Sequence, residues 1–209
     1  MNKYKKEIPL VFATNNHHKF EEVRDILRKL PLELIPLKKF NQILEIDETG
    51  KTFAENALLK AKVVYQYTKI WTIADDSGLE VWALNGAPGI YSARFAGDSP
   101  NYPANNKKLL KLMENIPDSN RQAQFRCVVA IVGPDFRRIC EGMVKGKIIR
   151  KLRGTKGFGY DPLFIPDGYN KTFAELEESL KNQISHRAIA FNKAANILKN
   201  VLLSDAANI

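Results

Sequence analysis

The chain of 209 residues is predicted to form a single mixed α/β domain. In the first half, short apolar runs typical of strands alternate with amphipathic helix patterns. In the second half, two long strand patterns meet at a Gly-Pro-Asp turn and predict a hairpin. No low-complexity linker divides the chain. We therefore expect residues 1–209 to form one α/β domain, with a mixed central β-sheet flanked by helices and the long hairpin as an extension at the sheet edge.

The first half begins with a strand, a loop and a helix. Residues 8–13 are a buried apolar run, residues 14–18 are a polar turn, and an amphipathic pattern continues to about Leu30. The segment 32–37 predicts the next strand, and the polar connection 41–51 contains Glu45, Asp47 and Glu48.

A second helix is predicted to begin after Thr52, because Glu55 three residues later completes a capping box. An apolar stripe carries this helix towards Thr68. Lys60 lies on the flank of the stripe. Such a lysine commonly extends its amine to solvent, but it can instead hold phosphate if it faces the acidic residues that follow.

Two adjacent aspartates, Asp75 and Asp76, lie where an apolar run ends in the stretch WTIADDSG. The pattern predicts a strand over 71–75 and another over 79–83. Neighbouring carboxylates repel each other unless a cation, a proton or hydrogen bonds offset the charge. Two interpretations stay open at this point: a metal or acid/base site at a strand end, or an Asx turn in which Asp76 bonds the backbone near Gly78.

The second half adds a turn, a helix, the hairpin, a glycine-rich loop and a last helix. In order these are predicted over 85–89, 103–116, 122–132 with 136–150, 154–160 and 186–203, with a short strand over 163–165 and Ser185 as the final N-cap.

A formal net charge of +9 raises the hypothesis of nucleic-acid binding. The basic residues are nevertheless spread along the chain among acidic ones, which is typical of solvated helix faces. A small anionic substrate accounts for the excess equally well. No apolar run approaches the roughly 18 residues of a membrane span, and the N-terminus lacks the pattern of a secretory signal. We therefore expect a cytoplasmic protein with neither nucleic acid nor membrane as its partner.

Three polar segments are candidate parts of a functional site. Thr14, Asn15, Asn16 and Lys19 occupy the junction of the first strand and helix, where backbone N–H groups favour anions, although ordinary helix capping gives the same pattern. Phe158 and Tyr160 lie on the glycine-rich loop, where an aromatic ring either stacks on a nucleobase or anchors the loop to the core. The entry to the last helix is rich in donors, and a capped helix with solvated charges is its simpler interpretation.

Five motifs taken together resemble the inosine triphosphate pyrophosphatase family, the HAM1-like house-cleaning purine nucleoside triphosphate pyrophosphatases. They are TNNHHK at 14–19, ADDSG at 74–78, PGIYSARFAG at 88–97, GFGYDP at 157–162 and SHR at 185–187. The resemblance runs from about Ile8 to Leu203. It implies the ITPase-like fold shared with Maf proteins, with a cleft between two lobes.

The resemblance implies hydrolysis of ITP, dITP and XTP to the monophosphate and pyrophosphate, with Mg²⁺ or alternatively Mn²⁺ as cofactor. Asp76 is then the metal ligand and proton acceptor, Glu48 and Asp75 assist at the metal, and an activated water attacks the α-phosphorus. The implied substrate contacts are Thr14, Asn15, Asn16, His17, His18, Lys19, Lys60, Ser77, Phe158, Gly159, Tyr160, Asp161, Lys181, His186 and Arg187. Among these, Lys19, Lys60 and Lys181 would bind phosphate and Phe158 would stack on the purine. Backbone groups near Asp161 and the donors of His186 and Arg187 would meet the 6-keto oxygen. A homodimer is also implied.

One position departs from the family pattern, because many relatives have glycine where Asn15 stands. Asparagine tolerates the left-handed backbone better than most residues, so we expect the turn to survive. His17 and His18 resemble metal ligands by composition, but we expect them to be exposed to solvent. The alternatives to be tested are a Maf-type pyrophosphatase acting on dTTP or UTP, and a nucleotide- or nucleic-acid-binding module without catalysis. The motif at 88–97 is either a dimer contact or a pocket wall.

Overall fold

The computed structural model describes residues 7–40 and 46–202. Within these residues the strands are β1 Ile8–Phe12, β2 Leu32–Pro36, β3 Thr72–Val81, β4 Gln122–Gly133, β5 Phe136–Ile148 and β6 Phe164–Pro166, and the α-helices are α1 His17–Leu27, α2 Phe53–Thr68, α3 Tyr102–Leu112, α4 Glu178–Ile184 and α5 His186–Leu202. The strands form one sheet in the order β2-β1-β3-β4-β5-β6. β1 runs parallel to β2 and β3, whereas β5 and β6 are antiparallel. The predicted mixed α/β fold is confirmed.

The chain divides into two compact units. The first contains the described residues within 1–76, 128–141 and 188–209, and the second contains 77–127 and 142–187. Strands β3, β4 and β5 each contribute residues to both units. No helix among the described residues is long and apolar enough to cross a membrane.

The core of the first unit is built around β1, in which Leu10, Val11 and Phe12 have no exposed surface. Such a continuous apolar run is typical of a strand in a parallel arrangement that is covered on both faces. The ring of Phe12 packs edge-on against Phe191 of α5 at a centroid distance of 5.5 Å. Helix α1 ends at Leu27 and not near Leu30, because the residue before Pro31 is disfavoured in a helix.

An aromatic cluster forms the core of the second unit. Phe125 contacts Phe164 and Phe173 at centroid distances of 4.8 and 5.9 Å. Beside this cluster, the buried guanidinium of Arg121 donates hydrogen bonds to four backbone carbonyls, those of Met113, Ile116, Ile148 and Ile149. A buried charge is tolerated there because it has several acceptors.

One sequence prediction about the sheet was wrong. The strands predicted over 71–75 and 79–83 are one continuous strand, β3, so Asp75 and Asp76 lie within a strand and not at a strand end. The hairpin of β4 and β5 supplies the fourth and fifth strands of the sheet, and the three-residue β6 pairs only with Gly146–Ile148 at the end of β5. Part of the polar connection predicted over 41–51, including Glu45, lies outside the described residues.

Candidate active site

The two aspartates of β3 are almost completely buried, with relative exposures of 1% for Asp75 and 5% for Asp76. The partners of the two carboxylates come from different helices. Lys19 of α1 places its Nζ 3.0 Å from Asp75 Oδ2. Asn56 of α2 donates from Nδ2 to Asp76 Oδ2 over 3.0 Å. The interpretation of Asp76 as the end of a strand in an Asx turn is therefore excluded.

A third carboxylate comes from the loop before α2. Glu48 Oε1 accepts a hydrogen bond from Lys60 Nζ over 2.5 Å, and Lys60 lies on α2 one turn after Asn56. We call Glu48, Asp75 and Asp76, with Lys19 and Lys60, the acidic cluster. Lys60 does not extend to solvent, because its side chain is only 12% exposed.

Electrostatics couple the members of the acidic cluster. Burial raises the pKa of Asp76 above the ordinary aspartate value, against the attraction of Lys60 and Lys19, which lowers it. Burial acts to lower the pKa of Lys60, but attraction by Asp76, Glu48 and Asp75 outweighs it and leaves the Lys60 pKa above its ordinary value. The ammonium of Lys60 is therefore a fixed positive charge at neutral pH.

The donor set of the acidic cluster fits a hard divalent cation that is shared with a substrate. Within residues 7–40 and 46–202, no three His, Cys, Asp or Glu side chains form a ready-made metal cage. Mg²⁺ does not need one, since it commonly binds one or two carboxylates together with waters and substrate phosphates. When all three carboxylates are ionised they outnumber the two lysines, so one negative charge is left for a cation to offset.

The turn between β1 and α1 has the geometry of a capped helix start. Asn16 is the N-cap, and its Oδ1 accepts from Lys19 N over 3.2 Å, while its own N–H donates to Thr14 Oγ1. The non-glycine residues with positive φ in the described part of the chain are Lys69, Asn85 and Asp135, so Asn15 needs no left-handed backbone. The departure from the family's glycine therefore causes no strain at Asn15.

His17 and His18 are exposed, as expected for neighbours in the first turn of a helix. The imidazole of His17 lies 3.9 Å from Glu21 on the next turn of α1. Neither histidine belongs to the acidic cluster, and their contact with substrate stays a prediction.

The second unit contains another cluster of predicted site residues. Asp161 Oδ2 accepts hydrogen bonds from Phe158 N over 2.9 Å and from Lys181 Nζ over 2.6 Å. The Phe158 ring lies 5.1 Å from Lys181 Nζ and 5.4 Å from Arg187 Cζ, within the range of cation–π attraction. We call Phe158, Asp161, Lys181 and Arg187 the aromatic–basic cluster. The Phe158 ring is therefore held beside two buried cationic side chains.

The loop of the aromatic–basic cluster needs glycine at Gly157. Its φ is +72°, and a Cβ atom there would lie 2.1 Å from Asp161 Oδ2. Gly159 also has a positive φ, and its carbonyl accepts from Asn106 Nδ2 over 2.9 Å. Tyr160 is buried and donates its hydroxyl to Ser92 O, so it fixes the loop to the core of the second unit.

His186 and Arg187 at the start of α5 are buried donors and not solvated charges. The His186 ring stacks on Phe125 with a centroid distance of 4.7 Å. Arg187 Nη2 donates to Ser77 Oγ over 3.0 Å, which joins two of the residues predicted from separate motifs. The simpler interpretation of this helix entry, a cap with solvated charges, is wrong.

Sequence reasoning missed two buried asparagines at these clusters. Asn56 contacts Asp76 in the acidic cluster, and Asn106 of α3 holds Gly159 in the glycine-rich loop. The signal for Asn56 was a polar residue on the flank of the apolar stripe of α2, four positions before Lys60. Nothing local distinguishes Asn106 from the exposed polar residues of α3.

Most of the motif at 88–97 forms one short 3-10 helix. Gly89–Arg94 is a 3-10 helix in which Ser92 is buried and Tyr91 is exposed. Ser92 Oγ accepts from Leu79 N over 2.9 Å and donates to Gly89 O over 2.6 Å. Within its own unit this segment therefore packs through Ser92 and leaves the Tyr91 ring outside.

Known proteins resemble this chain over nearly its whole length. The model of the Ham1 family matches residues 10–197. The dITP/XTP pyrophosphatase of Desulforamulus reducens is 48% identical over 195 residues, which cover 93% of this chain and 97% of that protein. The dITP/XTP pyrophosphatase of Thermoanaerobacter pseudethanolicus is 45% identical over 193 residues, with coverages of 92% and 98%.

Solved structures agree with these relatives. The Ham1 protein of Staphylococcus aureus has a TM-score of 0.82 at 41% identity, covering 92% of this chain and 98% of that one. A HAM1 protein of Coxiella burnetii has a TM-score of 0.85 at 39% identity, covering 93% and 100%. The chain belongs to the Ham1 family.

Proposed function

We propose that this protein hydrolyses the non-canonical purine nucleoside triphosphates dITP, XTP and ITP to the nucleoside monophosphate and pyrophosphate. Such hydrolysis removes these nucleotides before polymerases use them. The observation that carries the proposal is the buried Asp75–Asp76 pair of β3 with lysines Lys19 and Lys60 beside it. The two relatives whose identities are given above, both called dITP/XTP pyrophosphatases, support the choice of substrate.

The acidic cluster is proposed to bind Mg²⁺ through Asp76 and Glu48, with Asp75 assisting and Mn²⁺ as the alternative ion. A bound divalent cation offsets charge on the phosphates and makes a water easier to deprotonate. Asp76 is proposed as the proton acceptor, and the rise of its pKa through burial, which makes an ionised carboxylate a stronger base, supports this role.

Phosphate charge is offset by groups that are already fixed in place. Lys19 and Lys60 are held by Asp75 and Glu48, so little side-chain freedom is lost when a triphosphate binds. The backbone N–H groups at the start of α1, near Thr14 and Asn16, favour negative charge through the helix dipole. Attack of water at the α-phosphorus then expels pyrophosphate as the leaving group.

The aromatic–basic cluster is proposed to bind the purine. Phe158 stacks on the base, and the donors of Arg187 and His186 meet the 6-keto oxygen that hypoxanthine and xanthine share. Adenine carries an amino group at that position, so a hydrogen-bond donor of the base would face a donor of the protein. A buried polar group left without a hydrogen-bond partner costs about 1–3 kcal/mol of binding free energy. This mismatch is the proposed reason for rejecting adenine nucleotides.

We also propose a homodimer as the working form, as the resemblance to the family implies. The rings of Trp82 and Tyr91, 49% and 56% exposed, are among the exposed apolar side chains of the second unit that an interface could cover. Light scattering on the purified protein measures the mass directly, and a mass of one chain at micromolar concentration contradicts this part of the proposal.

A nucleotide panel tests the proposed function. With Mg²⁺, dITP, XTP and ITP should release pyrophosphate far faster than dATP, dTTP or UTP, and Asp76→Asn should lower kcat by at least about 100-fold. Asp98→Asn, the same change at an exposed position, is the control and should leave the rate unchanged. Release of orthophosphate, or a preference for dTTP or UTP, would overturn the proposal. Salt-sensitive DNA or RNA binding that ignores Asp76→Asn would instead support a module without catalysis.

A further inference from the structure

Asn56 has no exposed surface, and both ends of its amide are used. Its Nδ2 donates to Asp76 Oδ2 over 3.0 Å, and its Oδ1 accepts from the backbone N–H of Gly50 over 2.8 Å. One side chain therefore joins a carboxylate of β3 to the loop that carries Glu48. Asn56 is not among the residues implied by the family motifs.

The loop approaches Asn56 so closely that Gly50 admits no side chain. A Cβ atom at Gly50 would lie 2.5 Å from Asn56 Oδ1 and 2.9 Å from Asn56 N. The next backbone N–H, that of Lys51, donates to Glu55 Oε2 over 2.6 Å. Two successive N–H groups thus attach the loop to the first turn of α2.

Helix α2 also holds the loop through a second side chain. Lys60 lies one turn after Asn56 on the same face and bonds Glu48 through its side chain. Asn56 therefore fixes the backbone of the loop, while Lys60 fixes the carboxylate of Glu48. Both contacts lie on the side of α2 that meets Asp76.

Asparagine suits this place for a chemical reason. Aspartate offers only acceptors, and leucine of similar size offers neither a donor nor an acceptor, whereas the asparagine amide supplies one of each. A donor is needed towards the carboxylate of Asp76, and an acceptor is needed towards the N–H of Gly50.

We infer that Asn56 is a positioning residue that fixes the Glu48 loop relative to Asp76. The carboxylates of Glu48 and Asp76 can then bind the same cation beside the same phosphate chain. The inference rests on the proposed function for the identity of the reaction. It concerns the distance between two carboxylates and not their protonation. Misplacement of reacting groups by about 1 Å can cost about 100-fold in rate, so the effect is large enough to measure.

The test uses two variants that disturb the position of the Glu48 loop relative to Asp76, one at Asn56 and one in the loop. Asn56→Leu removes both amide contacts without adding charge. Gly50→Ala keeps the Asn56 side chain but places a methyl group against it, so that the loop backbone and the amide can no longer both keep their positions; the backbone φ of Gly50 lies outside the positive range, so alanine is otherwise tolerated. Thr68→Val is the matched control, since it removes side-chain hydrogen bonds of the same helix about 18 Å along the axis from Asn56.

Three readouts are measured on each protein: kcat and KM for dITP, Mn²⁺ affinity of the nucleotide-free protein by electron paramagnetic resonance, and the melting temperature. We expect both variants to lower kcat and to weaken Mn²⁺ binding by about 10- to 100-fold, as supporting residues of metal sites do. KM should stay within about threefold, because the aromatic–basic cluster is untouched. Thr68→Val should change the melting temperature alone.

Gly50→Ala decides the question even if Asn56→Leu does not fold. If Gly50→Ala keeps the wild-type kcat and Mn²⁺ affinity, the inference is overturned. It is equally overturned if kcat falls in the two variants only in proportion to the folded fraction. A wild-type protein that releases no pyrophosphate from any nucleotide refutes the proposed function instead, and the Mn²⁺ measurements then still test the role of Asn56.

Discussion

Lys181 and Asp161 form an ion pair inside the second unit, with 2.6 Å between Nζ and Oδ2 and side-chain exposures of only 5% and 4%. Lys181→Met would leave the Asp161 carboxylate buried without its cation. We expect a loss of about 3–5 kcal/mol in the free energy of unfolding, measured by urea denaturation.

Two further variants make this prediction specific. Lys156→Met, which breaks the exposed pair with Glu177, should leave stability unchanged. Lys181→Met combined with Asp161→Asn should recover part of the loss, because no buried charge is then left alone. A loss in the double variant equal to that in Lys181→Met would show that the charge is not the cause.

The acid side of the pH profile should report on Asp76. Burial raises its pKa, so the protonated and inactive form persists to a higher pH than for an ordinary aspartate, and activity is lost earlier on acidification. Lys60 lowers the same pKa, so Lys60→Met should move the acid limb of kcat/KM to still higher pH.

Comparison between variants removes the titration of the substrate, which is common to all of them. Lys62→Met changes the same charge on the same helix and should leave the position of the limb unchanged. The assignment of Asp76 as the base is wrong if Lys60→Met leaves the limb in place or moves it to lower pH.

Phe158 should contribute to nucleotide binding through stacking. Phe158→Leu keeps an apolar side chain but removes the aromatic face, and stacking on a base is worth about 1–3 kcal/mol. We expect KM for dITP to rise by about tenfold or more while kcat changes little. Tyr169→Leu, which alters an exposed ring of the same unit, is the control, and an equal change in KM in both would argue against stacking.

Arg187 should govern the choice between keto and amino purines. Arg187→Met removes a donor next to the Phe158 ring, so the ratio of kcat/KM for dITP over dATP should fall by about tenfold or more. The ratio separates specificity from a general loss of folded enzyme. Arg153→Met at an exposed position should leave it unchanged, and an unchanged ratio in Arg187→Met assigns discrimination to other groups.

Local patterns predicted most elements of the fold, because periodicity and capping are local properties. The motif TFAE shows the limit of prediction from local patterns. At Thr52 it begins α2, with Thr52 accepting from Glu55 N. At Thr172 the same letters give only a turn, in which Thr172 N donates to Glu175 Oε2 and the threonine hydroxyl donates to Arg153 O. The same four residues therefore begin a helix at one place and form a turn at the other.

The sequence predicted a set of candidate site residues but not their geometry. The motif ADDSG looked like a strand end, because two carboxylates inside a buried strand need partners that the local sequence does not show. Lys19 and Asn56 are those partners, and they come from two different helices. The structure also separates Tyr160, which anchors a loop, from Phe158, whose ring adjoins the charged groups.

Hydrolysis in ¹⁸O-labelled water tests the central claim most directly. With dITP and Mg²⁺, attack at the α-phosphorus predicts that the label enters the nucleoside monophosphate and that pyrophosphate is unlabelled, as read by mass spectrometry of both products. Label in pyrophosphate, or in orthophosphate with a nucleoside diphosphate as the other product, would contradict the account.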